Sequence, residues 1–205
     1  MKTKVALFDF DRTIIHGDSG SYLLSYYIKK HPLSVFRLLQ VGILYIGYLL
    51  HFCKINAAKT KWLFPIDKMS EEEIEEFYDS KVAIHYYDNV VERIKELHEE
   101  GYYIIICSAS VEAYLKYCKL PVDKIIGTRT LDIDGKLSGR MIGLNCKDNE
   151  KVIRINEVLL DNHISIDYNN SYAYSDSKSD IPMLNLVKHR IRIDTKDGKM
   201  SKFIY

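Results

Sequence analysis

Two aspartates, Asp9 and Asp11, end the apolar run VALFDF near the start of a 205-residue chain. Two positions apart on a strand, side chains share a face, so these carboxylates repel each other unless a cation or a substrate lies between them. Further on, the hydroxyl of Ser108 follows the apolar run YYIIIC, Lys151 opens an amphipathic stretch, and Asp176 and Asp180 follow the run SYAYS. Together they supply three or four carboxylates, one ammonium and one hydroxyl. A few carboxylates, completed by backbone carbonyl, water and phosphate oxygens, are the donor set that Mg²⁺ takes in an octahedron. Such an ion answers the clash between Asp9 and Asp11.

Each of these residues stands just after a run that reads as a strand, or at the start of a helix. A first strand spans about Lys4 to Asp9. Residues 17–83 then carry helical spacing, broken at His31-Pro32 and Phe64-Pro65, where proline disfavours helix in the residue before it. From residue 84 onward the pattern alternates. NVVERIKELHEEG is an amphipathic helix stopped by Gly101, and YYIIIC is a strand apolar on both faces, as in a parallel sheet. A short helix over Val111 to Cys118, a strand at Lys124 to Ile126, and a hairpin turning at Asp134-Gly135 follow. DNEKVIRINEVLLDN forms a helix with Val152, Ile155, Val158 and Leu159 on one stripe, before a strand SYAYSD, a helix from about Asp180 and a last strand HRIRID. The expected architecture is an α/β, Rossmann-like three-layer core with a parallel sheet, built from residues 1–16 and 84–205. An all-helical cap, residues 17–83, is inserted after the first strand. Open parallel sheets bind ligands beyond the carboxyl ends of their strands, where the candidate residues stand.

Lys and Arg number 29 against 28 Asp and Glu, a formal charge of +1 that carries no footprint for nucleic acid. The four cysteines, Cys53, Cys107, Cys118 and Cys146, lack zinc-ligand spacing and read as reduced core thiols. Asp9 and Asp11 interrupt the first apolar run before it reaches the length of a secretory leader, so a cytoplasmic protein is expected. VGILYIGYLL, residues 41–50, is apolar all round but too short to span a bilayer. A helix buried in the cap is the first reading; a greasy surface docking on a membrane, a partner or a lipid-like substrate is the second. Tyr22, Tyr26 and Tyr27 either line a pocket or pack.

DFDRT, IIICSAS, Lys151 and YSDSKSDIPML, in that order, resemble the four motifs of the haloacid dehalogenase superfamily. A helical insertion directly after the first motif is similar to the subfamily that contains phosphoserine phosphatases. The resemblance implies a phosphatase acting on a small phosphomonoester. Asp9 would be the nucleophile that forms an aspartyl-phosphate, and Asp11 the general acid and then base. Mg²⁺ would be held by Asp9, the backbone carbonyl of Asp11 and Asp176, with Asp180 as ligand or support. Ser108, Ala109 and Lys151 would hold the phosphoryl group. Ser175 departs from the glycine usual in the fourth motif, and Lys147, four residues before Lys151, competes for the lysine role. Asp18 falls where phosphoserine phosphatases carry a glutamate that meets the substrate's amino group; its sequence, GDSGS, equally fits a helix N-cap, which is the favoured reading. A phosphotransferase on the same site, or a non-catalytic binding or membrane-docking protein keeping the fold, are the alternatives. A signalling receiver domain is disfavoured by the early position of DFDRT. The natural ester and the oligomeric state are left open.

Overall fold

The computed structural model describes residues 2–49, 60–133 and 136–204. Its strands are β1 (Lys2–Thr3), β2 (Val5–Phe8), β3 (Tyr103–Val111), β4 (Lys124–Thr128), β5 (Thr130–Ile133), β6 (Lys136–Met141), β7 (Ser165–Ile166), β8 (Tyr172–Ser175), β9 (His189–Ile193) and β10 (Met200–Lys202). Its helices are α1 (Ser19–Lys30), α2 (Arg37–Leu49), α3 (Glu71–Phe77), α4 (Asp88–Glu99), α5 (Glu112–Leu115), α6 (Asn149–Asp161) and α7 (Ile181–Leu184).

The main sheet has the order β10-β9-β8-β2-β3-β4, parallel except for β10 at its edge. β2 lies centrally, and all four of its residues are buried because each face is covered. Strand alternation divides the apolar residues between two layers. Ala6, Phe8, Ile104 and Ile106 join Val90, Ile94 and Leu97 of α4 on one face. Val5, Leu7, Ile105 and Cys107 join Ile155 and Leu159 of α6 and Met183 and Leu184 of α7 on the other. Gly101, at a φ of 76°, closes α4 in the left-handed conformation that glycine adopts without a Cβ clash.

The helical segment after β2 continues the first of these layers. Leu23, Tyr26 and Tyr27 of α1, Leu63, Phe64 and Ile66, and Ile74 and Phe77 of α3 are all buried in it. Tyr26 and Tyr27 pack, on Phe77 and Phe64 respectively, and the Tyr22 hydroxyl donates to the His16 carbonyl. α1 stops just before the His31-Pro32 break, and a 3-10 turn over Pro32–Phe36 leads into α2. Ser70 and Glu73 cap α3 reciprocally.

Several expectations need correction. Val111 ends β3 instead of opening the next helix, which covers only Glu112–Leu115. β9 is followed by β10, an antiparallel edge strand too polar to signal itself by alternation, and β1 pairs with β7 in a separate parallel ribbon. The apolar stretch at residues 41–50 is not simply interior: Val41 is buried, whereas Ile43 and Ile46 are exposed, along with Leu39 and Phe36. No described helix is long and apolar enough to cross a membrane. Cys107 and Cys146 are free and buried with their sulfurs 3.7 Å apart, Cys118 is free and half-buried, and Cys53 lies outside the described residues.

β5 and β6 pair antiparallel, while the Asp134-Gly135 turn itself lies outside the described residues. This hairpin docks on the helical segment: the Asp67 carboxylate accepts from the Ser138 hydroxyl at 2.8 Å and the Gly139 N–H at 2.9 Å. Gly139 allows the close approach, since a Cβ there would stand 2.3 Å from the Leu63 carbonyl oxygen. Gly139→Ala is therefore expected to destabilise the protein by about 1–3 kcal/mol, the cost of overpacking against backbone that cannot yield. Urea denaturation measures this.

Candidate active site

β8, β2 and β3 are adjacent and parallel, so their carboxyl ends open on one edge. Asp9 follows β2 and is anchored by its N–H to the Tyr174 carbonyl at 3.0 Å. A tight turn brings the chain back, with the Ile14 N–H bonded to the Phe10 carbonyl and Arg12 at a φ of 57°. Ser108 lies in β3 at a register irregularity between Cys107 and Val111, Asp176 follows β8, and α6 and the turn before α7 bring Lys151 and Asp180 from the side.

All eight candidate residues, Asp9, Asp11, Asp18, Ser108, Ala109, Lys151, Asp176 and Asp180, line one cavity of about 280 Å³, together with Arg12, Lys147, Ser177 and Ser179. Lys151 is 2 % exposed, and its ammonium lies 2.6 Å from Asp9 Oδ1 and 2.8 Å from Asp180 Oδ1. Both contacts are buried ion pairs. Lys147 also lines the cavity but is exposed, and the ion pairs belong to Lys151. The Thr13 hydroxyl donates to Asp9 Oδ2 at 3.2 Å and lies 3.5 Å from Asp176 Oδ1, so these two carboxylates face the same space. Ser175, the departure from the usual glycine, gives its hydroxyl to Asp180 Oδ2 at 2.7 Å.

Asp11 is oriented differently. Its carboxylate accepts from the Ser19 N–H at 2.7 Å and from the Ser110 hydroxyl. Ser110 and Ser19 share a hydrogen bond of 2.8 Å, and Ser19 another of 2.9 Å with the Tyr114 hydroxyl. Asp18 caps α1, accepting from the Ser21 N–H at 2.7 Å, while still facing the cavity. Composition and motif order did not point to Ser110, Ser19 or Tyr114. The available signal was Ser110 standing two residues after Ser108, hence near it on one face if the strand runs on.

The electrostatics show an excess of negative charge. Burial raises the Asp9 carboxyl to about 7 despite the attraction of Lys151, with Asp180 and Asp11 adding repulsion. Burial also raises Asp11, reinforced by Asp18 and opposed by Ser110 and Ser19, and it raises Asp176, reinforced by Asp180 and opposed by Arg12. For Lys151 burial favours the neutral amine, but Asp9 and Asp180 outweigh it and hold the ammonium charged. A divalent cation fits this imbalance. Asp9 and Asp176 have oxygens turned to a common space, whereas those of Asp180 are turned to Lys151 and Ser175, and those of Asp11 to Ser19 and Ser110. Among the described residues no three acidic, His or Cys side chains converge as a ready cage. Two carboxylates completed by carbonyl, water and substrate oxygens suit Mg²⁺, which seldom uses an all-protein cage.

The profile of the haloacid dehalogenase-like hydrolase family matches residues 6–185. A histidinol-phosphatase of Neisseria meningitidis serogroup C (strain 8013) is 28% identical over 207 residues, covering 97% of this chain and 93% of that protein. A structure of a protein of unknown function from Bordetella pertussis Tohama I superposes with a TM-score of 0.78 at 22% identity, over 94% of this chain and 91% of that one. Substrate-bound phosphoserine phosphatase superposes with a TM-score of 0.65 at 20% identity, over 94% of this chain and 87% of that one.

Removing the ammonium would strand two buried carboxylates. Lys151→Met is expected to cost about 3–5 kcal/mol of stability in the presence of chelator, and adding Asp180→Asn should recover part of it. Denaturation of the two single variants and the double variant measures the coupling; simple additivity would show that the charges act independently.

Proposed function

The chain belongs to the haloacid dehalogenase-like hydrolase family, and we propose that it is a Mg²⁺-dependent phosphatase that hydrolyses a small phosphomonoester through an aspartyl-phosphate on Asp9. The observation that carries this reading is the Asp9 carboxylate, fixed at a strand end with Lys151 at 2.6 Å on Oδ1 and its other oxygen facing the cavity beside Thr13 and Asp176.

Asp9 attacks phosphorus while the bond to the ester oxygen breaks and Asp11 gives that oxygen its proton. Water then attacks phosphorus, Asp11 takes its proton, and the Asp9–phosphorus link opens to release inorganic phosphate. Lys151 and the Ser108 hydroxyl hold phosphoryl oxygens through both steps, with Ala109 in the phosphate-facing wall. Asp9, Asp176 and the Asp11 main-chain carbonyl, with Asp180 in support, would hold Mg²⁺, which would supply the charge neutralisation that lets a carboxylate approach a phosphate. The Ser110 and Ser19 contacts aim Asp11 at the leaving oxygen. Residues 17–83 act as the cap and residues 1–16 with 84–205 as the core. The buried free thiols fit work in a reducing cytoplasm. The exposed face of α2, with Leu39, Ile43 and Ile46, is where a contact with lipid would form.

Hydrolysis of p-nitrophenyl phosphate is expected with Mg²⁺, lost with chelator and restored by added Mg²⁺. Asp9→Asn should lower it by at least about a thousandfold and abolish acid-stable labelling of the protein by ³²P-substrate. Undiminished turnover in Asp9→Asn would sink the mechanism. Transfer of phosphate to added alcohols in preference to water would assign the phosphotransferase instead. Ser110→Ala, which leaves one Asp11 oxygen without its donor, should lower kcat about tenfold with KM little changed. A steady-state comparison on the same ester checks it.

A further inference from the structure

We infer that the alcohol half of the substrate is a bulky apolar group that carries no carboxylate; this rests on the phosphatase reading above. A second cavity, of about 640 Å³, adjoins the phosphate-facing one and shares Asp11, Asp18 and Ala109 with it. Asp11, the residue assigned to protonate the ester oxygen, therefore stands where the two spaces meet. With phosphate in the smaller cavity, the carbon body of the ester extends into the larger.

The larger cavity is walled by Leu24, Leu38, Val41, Trp62, Leu63 and Val111. Its volume falls in the range of about 300–1,000 Å³ typical of sites that enclose a sizeable organic ligand. A body as small as that of serine leaves most of these walls without contact and gains little dispersion or hydrophobic stabilisation from them. Room is also available at Gly42, where a Cβ would meet nothing within 4 Å.

Charge selects in the same direction. Among the described lining residues the charged ones are Asp11 and Asp18, and there is no lysine, arginine or histidine. A carboxylate entering here loses water, meets no cation among the described lining residues and is repelled by both aspartates. A neutral body suffers none of this, and an ammonium group is attracted by Asp18. The cavity thus discriminates against amino-acid phosphates and accepts alkyl, aryl and amino-alcohol phosphates.

Two comparisons on the Mg²⁺-loaded wild-type enzyme test this. Along the n-alkyl phosphates from ethyl to octyl, kcat/KM should rise about three- to fourfold per methylene until the cavity is filled, and Gly42→Phe should flatten that rise. O-phosphoethanolamine differs from O-phosphoserine by the absence of the carboxylate, and should be hydrolysed with at least a tenfold higher kcat/KM. A flat chain-length profile in the wild type, or phosphoserine as the better of the pair, would overturn the inference while leaving the phosphatase reading intact. Failure to hydrolyse any ester would overturn the phosphatase reading and this inference with it.

Discussion

A nearly water-free ammonium between two carboxylates sets the terms for the whole site. Lys151 neutralises one charge, yet Asp9, Asp180, Asp11 and Asp176 all face the same cavity. Buried ions remain charged only if partners replace their lost hydration. Hence the dense second layer of donors: Thr13 on Asp9, Ser175 on Asp180, and Ser19 with Ser110 on Asp11. The serine that replaces the usual fourth-motif glycine is part of this layer, giving Asp180 a donor that glycine cannot supply.

Position follows from topology. β2, β3 and β8 are adjacent because each is apolar enough to be buried on both faces, and their shared carboxyl edge gathers residues separated by up to 167 positions in sequence, from Asp9 to Asp176. The helical segment closes over that edge, and the β5–β6 hairpin braces it from sequence far downstream through Asp67 and Gly139. The walls of the larger cavity therefore come from α1, α2, Trp62–Leu63 and β3, none of which forms it alone.

Much of this was legible because its physics is local. Unbroken apolar runs mark strands covered on two faces, 3.6-residue stripes mark α4 and α6, and charges placed directly after such runs mark an active edge. What escaped depends on tertiary contact. Ser110, Ser19 and Tyr114 are ordinary hydroxyl residues until folding brings them to Asp11, and β10 is three residues that pair only because β9 offers an edge. The exposure of Ile43 and Ile46 likewise depends on what packs against α2, which an all-round apolar run does not encode. Asp18 illustrates a residue with two compatible duties: it caps α1 and faces both cavities.

The hydrogen bond from Ser19 to Asp11 has a mechanical side. Ser19 is the first residue of α1, whereas Asp11 belongs to the turn leaving β2 and Ser110 to β3. The N-terminal end of α1 is thus latched to the sheet by the carboxylate proposed to handle the proton. Swinging that end outward would take the Ser19 N–H from Asp11 and leave it the Ser110 hydroxyl alone, so the setting of Asp11 and the seating of α1 are tied together.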